Sequence, residues 1–213
     1  MSAGFDLDDE VWKAKGEGEL RATLEQDFDL IMRFWDSPKP TVSAVQGYCL
    51  GGGMEMALAC DLTVAAENAL FGEPEVSIAS GVVALLLPWF TGPKLAKELL
   101  LTGDTKVSAE RIYEMGLINR VVALDELRGT ALELAETIAM NDRFSVEITK
   151  RAINRSLEIG GMRKALLDAF EADIAIETAE SDEAKKFYEV LHKEGIKSAI
   201  EWRKEHIRKL SND

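Results

Sequence analysis

The chain has 213 residues, 46% hydrophobic and 30% charged, long enough to bury a sizeable core in one domain with a helical appendage. A formal net charge of −13 and a pI near 4.7 argue against nucleic acid or an anionic membrane surface as partner. No segment is long and apolar enough to span a bilayer. Cys49 and Cys60 sit in apolar company and read as buried free thiols of a reducing compartment, and His192 and His206 lie on charged helices at no ligand spacing, so no metal is expected.

In chain order, an early amphipathic helix is expected to bury Leu20, Leu24, Phe28, Ile31 and Trp35 and to stop at Ser37-Pro38-Lys39-Pro40. The run Thr41 to Val45 reads as a strand. Gly51-Gly52-Gly53-Met54-Glu55 then reads as a tight turn opening a helix over Met56 to Cys60, with backbone N–H groups and the positive end of the helix dipole beside a carboxylate. Asp61 to Ala66 is a β-branched strand. Ala69 to Gly72 is another, running into the turn Glu73-Pro74-Glu75.

Nucleotide readings of the glycines fail. No Gly-Lys-Ser/Thr follows, the G-x-G-x-x-G spacing breaks at Met56, and there is no G-x-S-x-G elbow. By themselves the glycines fit tight helix–strand packing as well as they fit a ligand site.

Further on, Leu85, Leu86, Leu87, Trp89 and Phe90 fit either an apolar pocket wall or helix core. Lys94 to Leu101 reads as a helix closed by Gly103, and Ser108 as the N-cap of the next. Gly116 to Val122 leads into a strand. Four helices are then expected near 125–141, 143–157, 161–179 and 182–206, with an apolar stripe at Met162, Leu166, Phe170 and Ile174.

Several of these segments together resemble the enoyl-CoA hydratase/isomerase, or crotonase, family. Ala44-Val45-Gln46-Gly47, Gly51 to Glu55, Ala59-Cys60-Asp61 and Phe71-Gly72-Glu73-Pro74-Glu75 are similar to the family pattern, as is Ser2-Ala3-Gly4-Phe5-Asp6-Leu7. The resemblance implies a crotonase-like α/β fold, with a core of repeated ββα turns and a C-terminal helical oligomerisation region. Residues 1–123 read as a partial core holding the acyl-CoA site and 124–213 as a trimerisation region.

Carried over residue by residue, the resemblance puts an oxyanion hole on the backbone N–H groups of Phe5 and Gly52, and catalytic carboxyls on Glu55 and Glu75. Ala3, Gly4, Asp6, Leu7, Gly51, Gly53, Pro74 and Gly81 become substrate-binding residues. It implies an acyl-CoA substrate, coenzyme A entering only as part of the thioester, no permanent cofactor, and a homotrimer or dimer of trimers in the cytoplasm.

The reaction implied is addition of water to a trans-2-enoyl-CoA in acyl-chain metabolism. Two donors fixed on the thioester oxygen would favour the enolate by roughly 3 kcal/mol each, and two carboxyls sharing a water would not both be ionised. Δ3-to-Δ2 isomerisation by Glu75 alone, another crotonase-type reaction, and a non-catalytic acyl-CoA-binding subunit are the alternatives. Two departures bear on them. After Glu75 the family's glycine-rich stretch is replaced by an apolar run that keeps only Gly81, and the family's first strands lie upstream of Gly4. Arg203, Lys204, Arg208 and Lys209 fit either coenzyme phosphates or a solvated helix face.

Overall fold

A computed structural model describes residues 2–5, 17–179 and 181–210. Asp6 and Leu7 lie outside them. α1 (Glu17–Asp36) buries Leu24, Phe28, Ile31 and Trp35 along one stripe, with Leu20 partly buried beside them. It ends where Pro38 and Pro40 remove the backbone donors that another turn would need.

Beyond the prolines the chain passes twice between two sheets. β1 (Val42–Val45) enters one sheet and β2 (Tyr48–Leu50) the other, and α2 (Gly52–Ala59) carries the chain back to β3 (Leu62–Ala66). β3 lies parallel to β1, with Val42 opposite Leu62. β4 (Leu70–Gly72) lies parallel to β2, with Cys49 opposite Phe71. β5 (Val107–Ser108) joins β4 antiparallel and β6 (Arg120–Val122) joins β3 parallel. Thr63, Val64, Ala65 and Ala66 are buried, which fits a strand covered on both faces.

The parallel pairing of β2 with β4 positions the site. Both strands end at the same edge, where the Gly51 N–H donates to the Gly72 carbonyl at 3.0 Å. The glycine turn and the Glu73-Pro74-Glu75 segment leave that edge side by side, at the carboxyl ends of the strands, where sheets of this type commonly hold ligands.

α3 (Leu87–Thr91) and α4 (Pro93–Thr102) follow, α4 closing at Gly103 in the left-handed conformation (φ 61°). α5 (Ala109–Glu114) is capped as expected: Ser108 Oγ accepts from the Arg111 N–H at 3.2 Å.

The C-terminal part is helical: α6 (Leu127–Ala139), α7 (Arg143–Ile159), α8 (Met162–Glu177), α9 (Asp182–Glu194) and α10 (Ile196–Leu210). The single helix expected over 182–206 is two. Gly195 takes a positive φ of 84°, which an ordinary residue avoids, and the chain folds back around Phe187, Leu191 and Ala199. The predicted α8 stripe is buried in the main core, with the Phe28 and Phe170 rings 5.5 Å apart. Lys150 of α7 is also buried, bonded to Asp61 at 2.7 Å and to the carbonyl of Lys39 at 3.1 Å. Of the two thiols expected to be buried, Cys49 is, whereas Cys60 at the end of α2 is only half-buried.

Candidate active site

α2 opens on a backbone that only glycine adopts readily: Gly51 has φ 51° and ψ −128°. A Cβ on Gly51 would fall on Oε1 of Glu75, so the same glycine lets the turn and the carboxyl approach each other. The N-terminal segment closes over this turn. The Leu50 N–H donates to Ser2 O at 3.2 Å, the Gly4 N–H donates to Ser2 Oγ at 3.2 Å, and the Phe5 ring lies where a Cβ on Gly52 would be, 2.6 Å away. Gly53 is likewise pressed against Ser2. Among the described residues neither the Phe5 nor the Gly52 amide donates to a protein acceptor.

Glu55, in the first turn of α2, is only 1% exposed, and its Oε2 accepts from the Ala84 N–H at 3.2 Å. Glu55 is therefore not a solvated helix-start residue. Glu75 begins a 3-10 turn, Glu75–Ile78, which ends at Ala79 in the left-handed conformation (φ 62°), a strained setting for a residue with a Cβ. Both carboxyls line one cavity of about 50 Å³, together with Ala3, Gly4, Phe5, Pro74 and Gly81. That is room for water beside the two acids.

Of the candidate residues within the described chain, Gly51, Gly52 and Gly53 form the turn and the others line the cavity. Most of the apolar run after Glu75 lies elsewhere. Leu86 and Leu87 are core, Trp89 and Phe90 face an 820 Å³ groove against α7, and Ile78, Ser80 and Val83 join Gly81 at the cavity. Gly81 itself is held by space, because a Cβ there would lie 3.0 Å from Asp173 Cα.

Three further carboxyls surround the pair. Glu73 is 1% exposed and lies within reach of the charge of Glu75, and Oε2 of each is buried without a partner. Glu177 of α8 lines the cavity and accepts from Ser80 Oγ and, at 3.2 Å, from the Gly81 N–H. Asp173, one turn earlier, is 2% exposed and unpartnered. Asp173 and Glu177 follow the Met162–Phe170 stripe at helical spacing, a signal that places them on the buried face.

The C-terminal hairpin latches onto this region. Ile78 packs against its core, and Arg203 donates to Val76 O at 3.2 Å while lying 4.7 Å over the Phe187 ring. Arg203 is thereby engaged in the fold. Lys204 and Arg208 are exposed, and the Lys209 side chain lies outside the description.

Burial without counter-charge raises these acids. Desolvation, then the charge of Glu75, holds Glu55 well above its ordinary range. Glu73 is raised by desolvation and by the charges of Glu75 and Glu55. Desolvation lifts Glu75 to about 7 against the lowering of its own backbone N–H and of Glu73. Asp173 also reaches about 7, through desolvation and the charges of Glu177 and Glu75.

A folded chain that keeps protons the unfolded chain would release is stabilised below the unfolded values, and loses that stability as pH rises through the folded ones. The surface acids held low, Asp142, Glu158, Glu171 and Glu189, act in the opposite sense, but only below their ordinary values near 4. The thermal unfolding midpoint is therefore expected to be highest near about pH 5 and to fall by roughly several degrees by about pH 8. Circular dichroism melts read this, and a midpoint that rises over that interval contradicts the burial of these carboxyls.

A model of the enoyl-CoA hydratase/isomerase family matches residues 1–209. Among curated proteins, a mevalonyl-coenzyme A hydratase of Aspergillus fumigatus is 37% identical over 176 residues, covering 80% of this chain and 60% of that protein. A crotonyl-CoA hydratase of Syntrophomonas wolfei is 34% identical over 150 residues, covering 68% and 56%. The chain thus spans a little over half the length of these curated relatives. A solved enoyl-CoA hydratase/isomerase from Xanthobacter autotrophicus Py2 is 49% identical with a TM-score of 0.91, over 95% of this chain and 76% of that one. A probable enoyl-CoA hydratase from Mycobacterium thermoresistibile is 34% identical with a TM-score of 0.75, over 81% and 71%. Likeness of this degree along nearly the whole sequence makes the chain a member of the enoyl-CoA hydratase/isomerase family, with the crotonase-type α/β fold and a helical C-terminal region.

Proposed function

We propose that this chain carries an enoyl-CoA hydratase site, adding water to the double bond of a trans-2-enoyl-CoA. The observation that carries the reading is the cavity lined by Glu55 and Glu75 beside the glycine turn, with room for water between the two acids. One carboxylate of the pair takes a proton from that water as its oxygen bonds to Cβ. The π electrons move onto the thioester oxygen, and the protonated partner delivers its proton to Cα as the enolate collapses. The Phe5 and Gly52 amides meet the oxygen where negative charge develops, so they bind the enolate more strongly than the ester. Such a reaction adds the oxygen and proton of water across the double bond with no redox change and needs no permanent cofactor, coenzyme A arriving with the acyl group. The names of the hydratase relatives support the same substrate class.

Assembly as a trimer, alone or paired, belongs to the same reading. Met140, Phe144, Ile153 and Ile159 leave an apolar surface on the helical region that a second copy would cover. Two unpaired cysteines suit a reducing compartment such as the cytoplasm, and among the described residues no helix is long and apolar enough to cross a membrane.

Loss of conjugated-enoyl absorbance, followed on a panel of trans-2-enoyl-CoA esters of graded length, tests the proposal. Turnover is expected, with kcat/KM bell-shaped in pH: the acid limb near 7, where Glu75 titrates, and the alkaline limb where the pair loses its last proton. Ester binding with no turnover at any pH contradicts it.

A further inference from the structure

Glu73 is a buried acid that the reaction as described does not use. It follows the end of β4, two residues before Glu75, and the ionisable groups close enough to feel its charge or act on it are Cys49 of β2, Glu55 of α2 and Glu75 itself. Glu75 is faced in addition by Glu177 of α8. Among the described residues no Lys or Arg is ion-paired to this group. Oε2 of Glu73 and Oε2 of Glu75 are both buried without a donor, and two carboxyls can satisfy each other only if one of them holds a proton. Glu73 is fully enclosed, whereas Glu75 opens onto the cavity, so the charge is cheaper on Glu75.

We propose that Glu73 is a positioning residue: a permanently protonated acid that donates its O–H to Glu75, anchoring one oxygen of that carboxyl and leaving the other to face the substrate. The proton on Glu73 does not enter the reaction. It keeps a second negative charge away from the Glu55 and Glu75 pair, so that a single charge passes between those two during turnover. It also makes Glu75 easier to ionise than burial alone would allow, since a donor to a carboxylate favours the charged form. This rests on the hydratase reading of Glu55 and Glu75.

The test uses the whole chain with Glu73→Gln, which keeps a neutral donor, and Glu73→Leu, which keeps volume but loses it. Glu73→Gln is expected to hold kcat within about tenfold of wild type and to leave the acid limb of kcat/KM in place. Glu73→Leu is expected to lower kcat by about a hundredfold, with KM within a few-fold, and to move the acid limb upward by about one pH unit. Equal losses in the two variants with an unmoved acid limb would overturn the proposal.

An infrared measurement reads the proton without any turnover. At about pH 8, where ordinary carboxyls are ionised, wild type should show a protonated-carboxyl stretch that diminishes in Glu73→Gln, and an unchanged band there would refute the assignment even if Glu73→Leu fails to fold. A chain that shows this band yet turns over no enoyl ester would sink the hydratase reading and leave the proton on Glu73 standing.

Discussion

Glu75→Gln is expected to lower kcat for an enoyl-CoA ester by about a thousandfold, while the ester still binds within a few-fold of wild type. The amide has the shape of the protonated acid, so the cavity and the 3-10 turn that carries it stay in place. What is lost is the ability to gain and release a proton beside Cα. The variant is not expected to unfold, because Glu75 is an acid that burial already pushes up to about 7, and its charge raises both Glu55 and Glu73. Removing that charge relieves repulsion among buried groups, so the melting temperature at about pH 8 should hold or rise. Turnover assays paired with ester titration and a thermal melt separate the effects. An unchanged rate would remove Glu75 from the chemistry.

Gly51→Ala is expected to lower kcat by about a hundredfold at a stability loss of about 1–3 kcal/mol, the lost rate arising from geometry more than from unfolding. Two effects coincide at this residue. Its φ of 51° and ψ of −128° are unfavourable for any side chain, and the added Cβ would fall on Oε1 of Glu75. The carboxyl must then move, and a displacement of about 1 Å is enough for a loss of that size. Gly47 is the control: it has φ 62° but nothing within 4 Å of an added Cβ. Gly47→Ala should cost stability through backbone strain and leave turnover near wild type. If both variants lose activity equally, the contact between Gly51 and Glu75 is not what matters.

What could be read in advance followed how local the determinants are. The three glycines between a strand and a helix imply a close approach, and Glu55 and Glu75 could be picked out from the motif around each. That these segments meet depends on the parallel pairing of β2 with β4, and β2 is a three-residue strand that periodicity does not show; the resemblance brings the two carboxyls to one site without naming that pairing. Glu73 is not legible in the sequence, because an acid in a Gly-Glu-Pro-Glu turn reads as solvated, whereas in the fold it is 1% exposed. Asp173 and Glu177 lie about a hundred residues beyond the site in sequence, and only the docking of α8 on α1 and on Ser80-Gly81 brings them there. The Leu85 to Phe90 run fitted pocket wall or core equally well, since an apolar run carries no information about which cavity it faces. The break at Gly195 is hard to see in the sequence because the amphipathic pattern continues on both sides of it, so the glycine alone marks the turn.

The central claim is that Glu55, Glu75 and the Phe5 and Gly52 amides together add water through an enolate. Its most direct test is one turnover experiment in deuterated, oxygen-18-labelled water with a short trans-2-enoyl-CoA, the product read by NMR and mass spectrometry. One deuterium at Cα and one labelled oxygen at Cβ are expected, delivered to the same face of the former double bond. Deuterium at Cγ with no oxygen label would contradict it, and would make Glu75 an isomerase base acting without water.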